Sequence, residues 1–528
     1  MVMAYRDRVA DDLVRTALET FGAVILQGPR AVGKTTSGLQ LAASSVRLDS
    51  SPNVVTLAEV APGRVLEGPT PRLIDEWQLA PTLWNAVRHE VDDRGLAGQF
   101  ILTGSATPAD DVTRHSGAGR FRRITLRPMS LDESGESTRS VSFPSLFSSS
   151  GGTEEPDVGG LGGPSVEEYA ALTVRGGWPA LVTQPTRSAT DYLADYLDDV
   201  ARTDLRFAGL SADPIRVAAL QRALARNTAT EASASKLSAE AEIPVPGTAT
   251  AEVSAQTVRK YIDALTRIFV VEKQPAWAPH LRSKVRLRRQ PKWHFVDPSL
   301  ATAALRAQPD ALLDDLDAFG LLFESLAIRD LRIYAQPLGG TVYHYRDDSG
   351  LEVDAIVELG DGRWSAFEVK LGGTGNIEKA ASSLRALKAK VSEQRERQLS
   401  TLKRGDGRRG KLHPPRRRQR DCARSPLRRA GVQRLGTERS SVAVAPRNSW
   451  LSQQHHAVGD DPVAALGDVL VDQRSLRRGV PHAGHQLRES GTGLRGHGCR
   501  AGLKVVEAQV RPSGNLTSPV VGLAECVT

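Results

Sequence analysis

The stretch "AVILQGPRAVGKTT", residues 23–36, decides the fold of the first part of the chain. Its first five residues form a short run rich in apolar side chains and bounded by glycine, which predicts a buried parallel strand. Gly28, Gly33, Lys34 and Thr35 then fit the pattern GxxxxGK[ST], in which main-chain N–H groups surround phosphate oxygens. The following "TTSGLQLAAS" predicts a helix whose amino terminus favours anions. The stretch therefore predicts a phosphate-binding loop between a strand and a helix.

Such a loop predicts ATP as the ligand and Mg²⁺ as its companion ion. Lys34 would reach the β- and γ-phosphates, and the hydroxyl of Thr35 would ligate Mg²⁺. The residues expected to bind the nucleotide are those of the loop and one carboxylate further along: Gly28, Pro29, Arg30, Ala31, Val32, Gly33, Lys34, Thr35, Thr36 and Asp75.

The stretch "RLIDEW", residues 72–77, supplies two carboxylates at the end of a short apolar run. Asp75 would hold the water shell of the metal, and Glu76 would polarise the attacking water. An apolar–Asp–Glu string is a weak signal alone. Here Asp75 follows Thr35 by 40 residues, a spacing that suits an ATPase.

Two further segments offer polar groups for the same site. "GQFILTGSA", residues 98–106, predicts a buried strand that ends at Thr103 and Ser105, where a hydroxyl could bond the water or the γ-phosphate. The alternative is a simple strand-to-loop turn.

In "GAGRFRRITLRPMSL", residues 117–131, Arg120 is a candidate arginine finger through which chains could oligomerise. Arg122 and Arg123 are weaker candidates. The alternative for all three is an unpaired surface arginine.

A second group of charged residues lies more than 200 positions later. "DDLDAFGLLFESLAIRDLRIY", residues 314–334, predicts an amphipathic helix that contains Glu324. "TVYHYRDDSGLEVDAIVEL", residues 341–359, predicts a hairpin with Asp354 in its second strand, and "GRWSAFEVK", residues 362–370, predicts the next strand.

Glu368 and Lys370 are two residues apart and share one face of that strand. This order of groups is typical of a PD-(D/E)xK nuclease centre. Asp354 and Glu368 would hold Mg²⁺ or Mn²⁺, Lys370 would orient water or stabilise charge, and Glu324 would extend the metal shell. The alternative is an ordinary amphipathic strand, in which polar and apolar side chains alternate and the carboxylates face solvent.

Between these two regions the sequence predicts a linker and then helices. Residues 134–165 are rich in Ser, Gly and Pro and predict a flexible linker. "RVAALQRALARN" (216–227) and "ASASKLSAEAEI" (232–243) predict amphipathic helices, and "SAQTVRKYIDALTRIFVVEKQPAW" (254–277) predicts a helix capped by Ser254 and then a strand. Three helices and a strand suggest a winged-helix module. DNA contact and packing against a partner both remain open for it.

The charge of the chain is unevenly spread. The net charge is +8, but residues 393–528 carry 25 Lys+Arg and 12 Asp+Glu, a balance of +13, and the preceding residues a balance of −5. The cysteines, Cys422, Cys499 and Cys526, all lie in this last part, so the body has neither a disulfide framework nor a cysteine metal site. Since no run reaches 18 apolar residues and no export signal is seen, a cytoplasmic protein without a membrane contact is expected.

Four stretches resemble a widespread group of bacterial predicted ATPases: "ILQGPRAVGKTT", "LIDEWQLAPTLWNAVRHEVD", "GQFILTGSA" and "GRFRRITLRPMSL". The resemblance covers roughly residues 1–392. It implies an AAA-type ATPase domain, in which Thr103 has the sensor-1 role, followed by a domain of unknown function with a nuclease-like end.

The tail changes character after Lys403. It contains one aromatic residue, Trp450, and from Glu393 onward 22 Arg but 3 Lys. One interpretation is a disordered basic tail that could bind nucleic acid. The other is a frameshift: codons can be chosen for "GDGRRGKLHPPRRRQRDCA" that, read one base later, give "VTGGGESYTRRDGVNVIA", a hairpin that resembles the closing strands of the same ATPase group.

The sequence thus predicts five parts. Residues 1–133 are an α/β P-loop NTPase domain of the AAA type, and residues 134–165 are the linker. Residues 166–290 are a helical and winged-helix region, and residues 291–402 are an α+β restriction-endonuclease-like domain. Residues 403–528 are a disordered basic tail, read out of frame.

The predicted activity is Mg²⁺-dependent binding and hydrolysis of ATP, coupled to a conformational or DNA-linked task. Three roles remain open. The protein could be an ATP-driven DNA nuclease, or an ATP-dependent switch whose nuclease-like domain binds a partner without cleavage. It could also be a frameshifted product that retains only ATP binding.

Overall fold

The computed structural model describes residues 5–106, 117–139, 142–147, 163–241, 253–279, 289–371, 374–403, 463–466, 469–472, 501–510 and 516–526. The chain divides into two compact units, Met1–Val391 with Asp461–Thr528, and Ser392–Asp460. In the second unit, only the end of one helix lies within the described residues. All other elements below belong to the first unit.

The amino-terminal domain is built on a five-stranded sheet in which every strand pair is parallel. The strands follow the order β2-β3-β4-β1-β5. Its elements are α1 Val9–Thr20, β1 Ala23–Gln27, α2 Lys34–Leu41, β2 Ser44–Arg47, α3 Pro52–Val60, α4 Pro62–Leu66, β3 Arg72–Asp75, α5 Leu83–Arg94, β4 Phe100–Gly104, β5 Phe121–Thr125 and α6 Leu131–Ser134. The α/β fold with a parallel sheet is therefore confirmed.

The strand β1 explains why this sheet forms. Val24 and Leu26 belong to the hydrophobic core on one face of the sheet, and Ala23 and Ile25 to the core on the other face. A strand that is apolar on both faces is stable only when helices cover both sides. Because the strands are parallel, the loop after β1 and the ends of β3 and β4 lie at the same edge.

Part of the expected linker is folded. Phe143, Leu146 and Phe147 are buried in the core, and the Phe143 ring stacks on Phe367 with 6.3 Å between centroids. The prediction of a flexible linker is therefore wrong at residues 142–147, because three large apolar side chains in a short stretch gain more by burial than they lose in freedom. Residues 148–162 lie outside the described part of the chain.

Within the described residues, the middle region contains five α-helices, a pair of antiparallel strands and two more α-helices: α7 Val166–Arg175, α8 Thr186–Arg202, α9 Pro214–Arg226, α10 Ala234–Glu240, α11 Ala255–Arg267, β6 Val271–Gln274, β7 Lys292–Phe295, α12 Pro298–Leu305 and α13 Pro309–Asp314. The side chain of Ser254 accepts a hydrogen bond from Thr257 N at 3.2 Å, so the predicted cap of α11 is present. Strands β6 and β7 are antiparallel, and Thr230 adds an isolated bridge to Trp293.

The boundary predicted between residues 290 and 291 does not agree with this hairpin. It separates β6 from β7, although the two strands are paired over four residues. Helix α12 also packs against α8 and α9, and α13 packs mainly against α7. The last domain therefore begins at the next helix, because main-chain pairing and core packing hold the preceding residues to the middle region.

The last domain consists of a long helix, three antiparallel strands and a second long helix: α14 Leu316–Ala335, β8 Thr341–Arg346, β9 Glu352–Glu358, β10 Trp364–Lys370 and α15 Thr374–Lys403. Phe323 of α14 packs in one core with Phe367, and Leu384 of α15 packs in another with Ile356. Among the described residues, no helix is both long and apolar enough to cross a membrane.

The described part of the tail contains four strands: β11 Val463–Leu466, β12 Val469–Asp472, β13 Ala501–Val510 and β14 Leu516–Cys526. Strand β13 pairs in parallel with β10, and β14 pairs with β13. The prediction of disorder over the whole of residues 403–528 is therefore wrong at these strands. The edge of β10 offers unpaired main-chain groups, and "LKVV" and "VVGLA" are apolar and rich in valine. Residues 404–462 lie outside the described part.

Candidate functional site

A cavity of about 690 Å³ lies at the edge of the parallel sheet where β1 and β3 end. Ligands of α/β sheets bind at this carboxyl edge, near the point where the strand order reverses. The loop between β1 and α2 forms much of the wall. The lining residues are Arg30, Ala31, Gly33, Lys34, Thr35, Thr36, Asp49, Glu76, Gln78, Leu79, Pro179 and Ala180.

The loop takes its shape from residues with a positive φ. The φ angles are 150° at Gly28, 63° at Ala31 and 91° at Gly33. A Cβ atom at Gly28 would lie 2.1 Å from the carbonyl oxygen of Leu126, so a side chain cannot be accommodated there. The predicted glycines are therefore required by the turn that wraps the loop around the cavity.

Lys34 is buried, but it has no carboxylate partner among the described residues. Its Nζ donates hydrogen bonds to the carbonyl oxygens of Gly28 at 3.0 Å and Pro29 at 2.7 Å. Burial lowers the pKa of Lys34 to about 8. Since only neutral groups hold the ammonium, its charge remains available to an anion in the cavity.

Thr35, Asp75 and Thr103 lie in contact. Thr103 was predicted to bond the water or the γ-phosphate, but it is fully buried and does not line the cavity. The Thr35 hydroxyl donates to Asp75 Oδ1 at 2.7 Å, and the Thr103 hydroxyl donates to the same oxygen. Asp75 lies opposite Thr103 in the register of β3 and β4, which explains the contact. Hydroxyl and carboxylate oxygens are the hard donors that Mg²⁺ prefers, so the pair Thr35 and Asp75 fits the predicted ion.

Glu76 lines the cavity in an unusual backbone conformation, with a φ of 57°. Its Oε2 accepts hydrogen bonds from Ser105 Oγ at 3.3 Å and from the Gln78 side chain. Left-handed backbone at a non-glycine residue is concentrated at functional sites. Ser105 and Gln78 therefore orient the carboxylate. An amide two residues after Glu76 is too common a feature for the sequence to have indicated Gln78.

The middle region forms part of the cavity wall. Arg30 of the loop forms an ion pair of 2.5 Å with Asp204, and Pro179 and Ala180 complete the lining. Burial raises the pKa of Asp204 to about 6, against the opposing charge of Arg30. No motif in "GGWPA", residues 176–180, indicates that this stretch lies at the cavity.

Arg8 supports the loop from behind and was not predicted. It is 5% exposed and donates to the carbonyl oxygens of Val32 at 2.9 Å and Arg127 at 2.7 Å. Its Nε lies 3.1 Å from the carboxylate of Glu133. An arginine next to an amphipathic helix looks like a surface residue in the sequence, so no local signal distinguishes it.

Arg120 lies at the amino-terminal ends of the strands, opposite the end of the sheet that carries the cavity. It precedes β5, whose first residue Phe121 is opposite Ala23, whereas the phosphate-binding loop follows Gln27. Its guanidinium pairs with Asp92 at 2.8 Å. Arg120 therefore cannot serve its own cavity, and the arginine-finger prediction can apply only to the cavity of a neighbouring chain.

The two weaker candidates lie on β5. Arg122 is exposed, and Arg123 lies over the ring of Trp84 at 5.0 Å from its centroid. Neither residue lines the cavity.

A second polar site lies in the last domain, which we call the carboxylate cluster: Glu324, Glu352, Asp354 and Glu368 with the lysines Lys292 and Lys370. Glu324 of α14, Asp354 of β9 and Glu368 of β10 are all buried, and Asp354 is close enough for its charge to act on both glutamates. Lys370 Nζ lies 2.8 Å from Asp354 Oδ2 and 2.7 Å from Glu368 Oε2. The main-chain N–H of Val369 also donates to Asp354 Oδ2, at 2.7 Å.

Besides Glu352, Lys292 is a member of the cluster that the sequence did not predict. It lies on β7 of the hairpin, and its side chain is 3% exposed. Its Nζ is 2.8 Å from Glu324 Oε1 and 2.9 Å from Glu352 Oε1. A lysine at a strand end normally indicates a solvated residue, so no motif could have found this contact.

Burial and the lysines set the protonation of the cluster. Burial raises the pKa of Glu324 to about 7, although Lys292 opposes it. Burial and the nearby Asp354 carboxylate raise the pKa of Glu368 well above its usual value. Although burial acts the other way, Lys370 and Lys292 lower the pKa of Asp354. Asp354 therefore stays ionised while Glu368 favours its protonated form.

The cluster does not fit a divalent metal in this arrangement. Within the described residues, no group of three or more His, Cys, Asp or Glu side chains is placed to hold a metal ion. The oxygens of Asp354 and Glu368, predicted to bind Mg²⁺ or Mn²⁺, contact the ammonium of Lys370, and Glu324 contacts Lys292. The lysines are thus the cations of the cluster.

Comparison with protein families agrees with the division of the chain into an amino-terminal domain, a middle region and a last domain that begins at α14. Residues 20–135 match the model of an AAA domain. Residues 166–311 and 319–410 match two domains of unknown function, DUF8612 and DUF4143. The amino-terminal domain is therefore an AAA domain of the P-loop ATPase kind, and the two matched domains meet where α14 begins.

Two relatives share much of the chain. Uncharacterized protein Rv2008c of Mycobacterium tuberculosis and uncharacterized protein Mb2031c of Mycobacterium bovis are each 27% identical over 390 residues, which is 72% of this chain and 77% of theirs. Among solved structures, the Walker-type ATPase PABY2304 of Pyrococcus abyssi is similar with a TM-score of 0.33 and 14% identity, covering 56% of this chain and 94% of its own. The Orc1 protein of Aeropyrum pernix in complex with DNA gives 0.22 and 13%, over 59% and 94%.

Proposed function

We propose that this protein binds ATP with Mg²⁺ in the cavity of its AAA domain and hydrolyses it. The observation that carries the proposal is the convergence of Lys34, Thr35 and Asp75 with Glu76 at one edge of the sheet, around a cavity of about 690 Å³. The volume lies within the range of ligand pockets, about 300–1,000 Å³.

Each side chain has a separate task in this proposal. Lys34 binds the β- and γ-phosphate oxygens, and Thr35 with Asp75 holds Mg²⁺, which neutralises charge on the phosphates. Glu76 accepts a proton from a water molecule as the water oxygen attacks the γ-phosphorus. The bond from phosphorus to the β–γ bridging oxygen breaks, so ADP and inorganic phosphate leave. Thr103 fixes Asp75, and Ser105 fixes Glu76.

The proposal is tested by phosphate release in a series of Mg²⁺ concentrations. Thr35→Ala removes the hydroxyl that would ligate Mg²⁺, whereas Thr35→Ser retains it. We expect Thr35→Ala to lose turnover at every Mg²⁺ concentration and Thr35→Ser to keep it. A Thr35→Ala variant that hydrolyses ATP at the parent rate would show that the catalytic cavity lies elsewhere.

A second candidate function is DNA binding by the middle region. Helices α9, α10 and α11 followed by the hairpin β6–β7, with Thr230 bridging to Trp293, have the order of a winged-helix module. The outer face of α11 is exposed and carries three basic residues and one acidic residue: Arg259, Lys260, Arg267 and Asp263. In such modules this helix enters the major groove.

DNA binding is tested with duplex DNA by fluorescence anisotropy over a range of salt concentrations. The double variant Arg259→Ala and Lys260→Ala should bind more weakly, and its salt dependence should be lower by about two phosphate contacts. Arg15→Ala on α1 is the matched control. If the double variant and the control bind DNA as the parent does, α11 packs against another partner instead.

We propose that the last domain is restriction-endonuclease-like in fold, since a long helix, three antiparallel strands and a second long helix follow one another. Because lysines neutralise its carboxylate cluster, the favoured role is an ATP-dependent switch or partner-binding protein, and an ATP-driven nuclease is the alternative. Plasmid degradation in the presence of Mg²⁺ separates them, since a switch leaves the plasmid intact.

We further infer a change of reading frame near Lys403. The composition after this residue supports it, and the match to DUF4143 ends close by, at residue 410. Sequencing the gene around codon 403 tests the inference. A read in which the present frame is the only open one rejects it.

A further inference from the structure

Lys292 is contributed to the carboxylate cluster by a different part of the fold. It lies on the hairpin that follows α11, whereas its partners Glu324 and Glu352 lie on α14 and β9. Its side chain is 3% exposed, so water cannot solvate the charge. Burial of the ammonium group is costly unless other groups compensate its charge, and Lys292 has two carboxylate partners, each closer than 3 Å.

The buried carboxylates have the same need. Glu324, Asp354 and Glu368 are 6%, 5% and 2% exposed, and three buried acidic groups require a cation or a proton. In a nuclease centre of this kind a divalent metal supplies that charge. Here Lys370 contacts Asp354 and Glu368, and Lys292 contacts Glu324. Each of the three is therefore paired within the chain.

We propose that Lys292 is a built-in cation of the carboxylate cluster: it neutralises Glu324 and Glu352, as Lys370 neutralises Asp354 and Glu368, and it supplies positive charge that a divalent metal ion would otherwise bring. The ion pairs of the cluster then hold β6 and β7 against α14 and β9. The cluster binds no metal ion while Lys292 is paired with Glu324 and Glu352. This inference does not depend on the proposed ATPase activity.

The test measures the binding of Mn²⁺ to the full chain in the absence of nucleotide. Electron paramagnetic resonance detects the bound and the free ion. Lys292→Gln removes the charge and keeps a hydrogen-bond donor toward Glu324. Lys292→Arg keeps the charge and is the matched control. Addition of Asp354→Asn to Lys292→Gln reports whether any bound Mn²⁺ lies in the cluster, rather than at Thr35 and Asp75.

We expect neither the parent nor Lys292→Arg to bind Mn²⁺ at the cluster. Addition of Asp354→Asn to either protein should therefore leave its Mn²⁺ binding unchanged. Lys292→Gln should gain at least about tenfold in Mn²⁺ affinity, which corresponds to about 1.4 kcal/mol, and Asp354→Asn should abolish the gain. Circular dichroism and thermal melting establish that the variants are folded. If Lys292→Gln does not fold, Lys292→Met is melted with and without Mn²⁺, and the metal should raise its melting temperature.

Two results would overturn the proposal. One is a parent protein that binds Mn²⁺ in a manner abolished by Asp354→Asn, because lysine and metal would then coexist. The other is a folded Lys292→Gln or Lys292→Met variant that neither binds Mn²⁺ nor is stabilised by it. Loss of ATP binding in any of these variants has no bearing on the result, since the measurement contains no nucleotide.

Discussion

The nucleotide cavity and the carboxylate cluster each contain a buried lysine, and the two lysines are held in opposite ways. Lys34 donates to two main-chain carbonyls and lines an open cavity. Lys292 lies between two carboxylates. Burial lowers the pKa of Lys34, whereas the surrounding carboxylates outweigh burial and raise the pKa of Lys292. A lysine among neutral groups can receive an anionic ligand, and a lysine among carboxylates is already satisfied.

The largest effect is expected at Glu76, which separates binding from chemistry in the cavity. Glu76→Gln keeps the shape and loses the base, so hydrolysis should slow by about 10²–10⁴-fold while ATP affinity is unchanged. Single-turnover phosphate release and a binding titration measure the two quantities. Exposed Glu19→Gln on α1 is the control. Equal turnover in Glu76→Gln and the parent would exclude Glu76 from the mechanism.

The second largest effect is expected on the free energy of unfolding when Lys292 of the carboxylate cluster is replaced. Lys292→Met leaves the buried carboxylate of Glu324 without its cation and should cost about 3–5 kcal/mol of unfolding free energy. The double variant Lys292→Met and Glu324→Leu removes both charges and should recover most of the loss. Denaturant unfolding of the three proteins measures this. Losses that simply add in the double variant would indicate that the two residues do not form a pair.

A smaller effect is expected for the lysine of the cavity. Lys34→Ala removes one charge-assisted contact to the phosphates, so ATP binding should weaken by about 2–4 kcal/mol without loss of the fold. Lys236→Ala, at an exposed lysine on α10, is the control. Calorimetry checks the affinities, and an unchanged value for Lys34→Ala contradicts the assignment of the loop.

The smallest effect is expected from pH. In the free protein burial lowers the pKa of Lys34 to about 8, and bound phosphates would favour its charged form. ATP affinity should therefore be greatest below pH 8 and fall above it, by at most about tenfold per pH unit. Lys34→Arg stays charged throughout and should lack this dependence. A titration from about pH 7 to pH 9.5 compares them, and a parallel decline in both proteins would point to another group.

The cavity was largely predictable because its residues lie in contiguous motifs that follow strands. "GPRAVGKT" and "RLIDEW" each combine a buried strand with the polar groups at its end, and the parallel sheet brings those ends together. The contact of Thr35 and Thr103 with Asp75 follows from that register.

The residues that the sequence did not indicate make contacts between distant elements. Arg8 reaches Val32 from outside the motif, and Lys292 reaches Glu324 across a domain boundary that the sequence placed wrongly. Whether a lysine faces solvent or a buried carboxylate depends on tertiary packing, and alternation along a strand does not reveal it. The strands of the tail were missed because the prediction rested on the arginine-rich composition of the whole tail and overlooked short apolar segments such as "LKVV", which pairs with β10.

The most direct test of the contrast between the two sites is a pair of calorimetric titrations of the parent chain, one with ATP and Mg²⁺ and one with Mn²⁺ alone. We predict that one ATP binds per chain. We also predict that the Mn²⁺ titration gives the same result when it is repeated with the Asp354→Asn variant. Absence of ATP binding, or a metal site at Asp354 in the parent, would contradict these predictions.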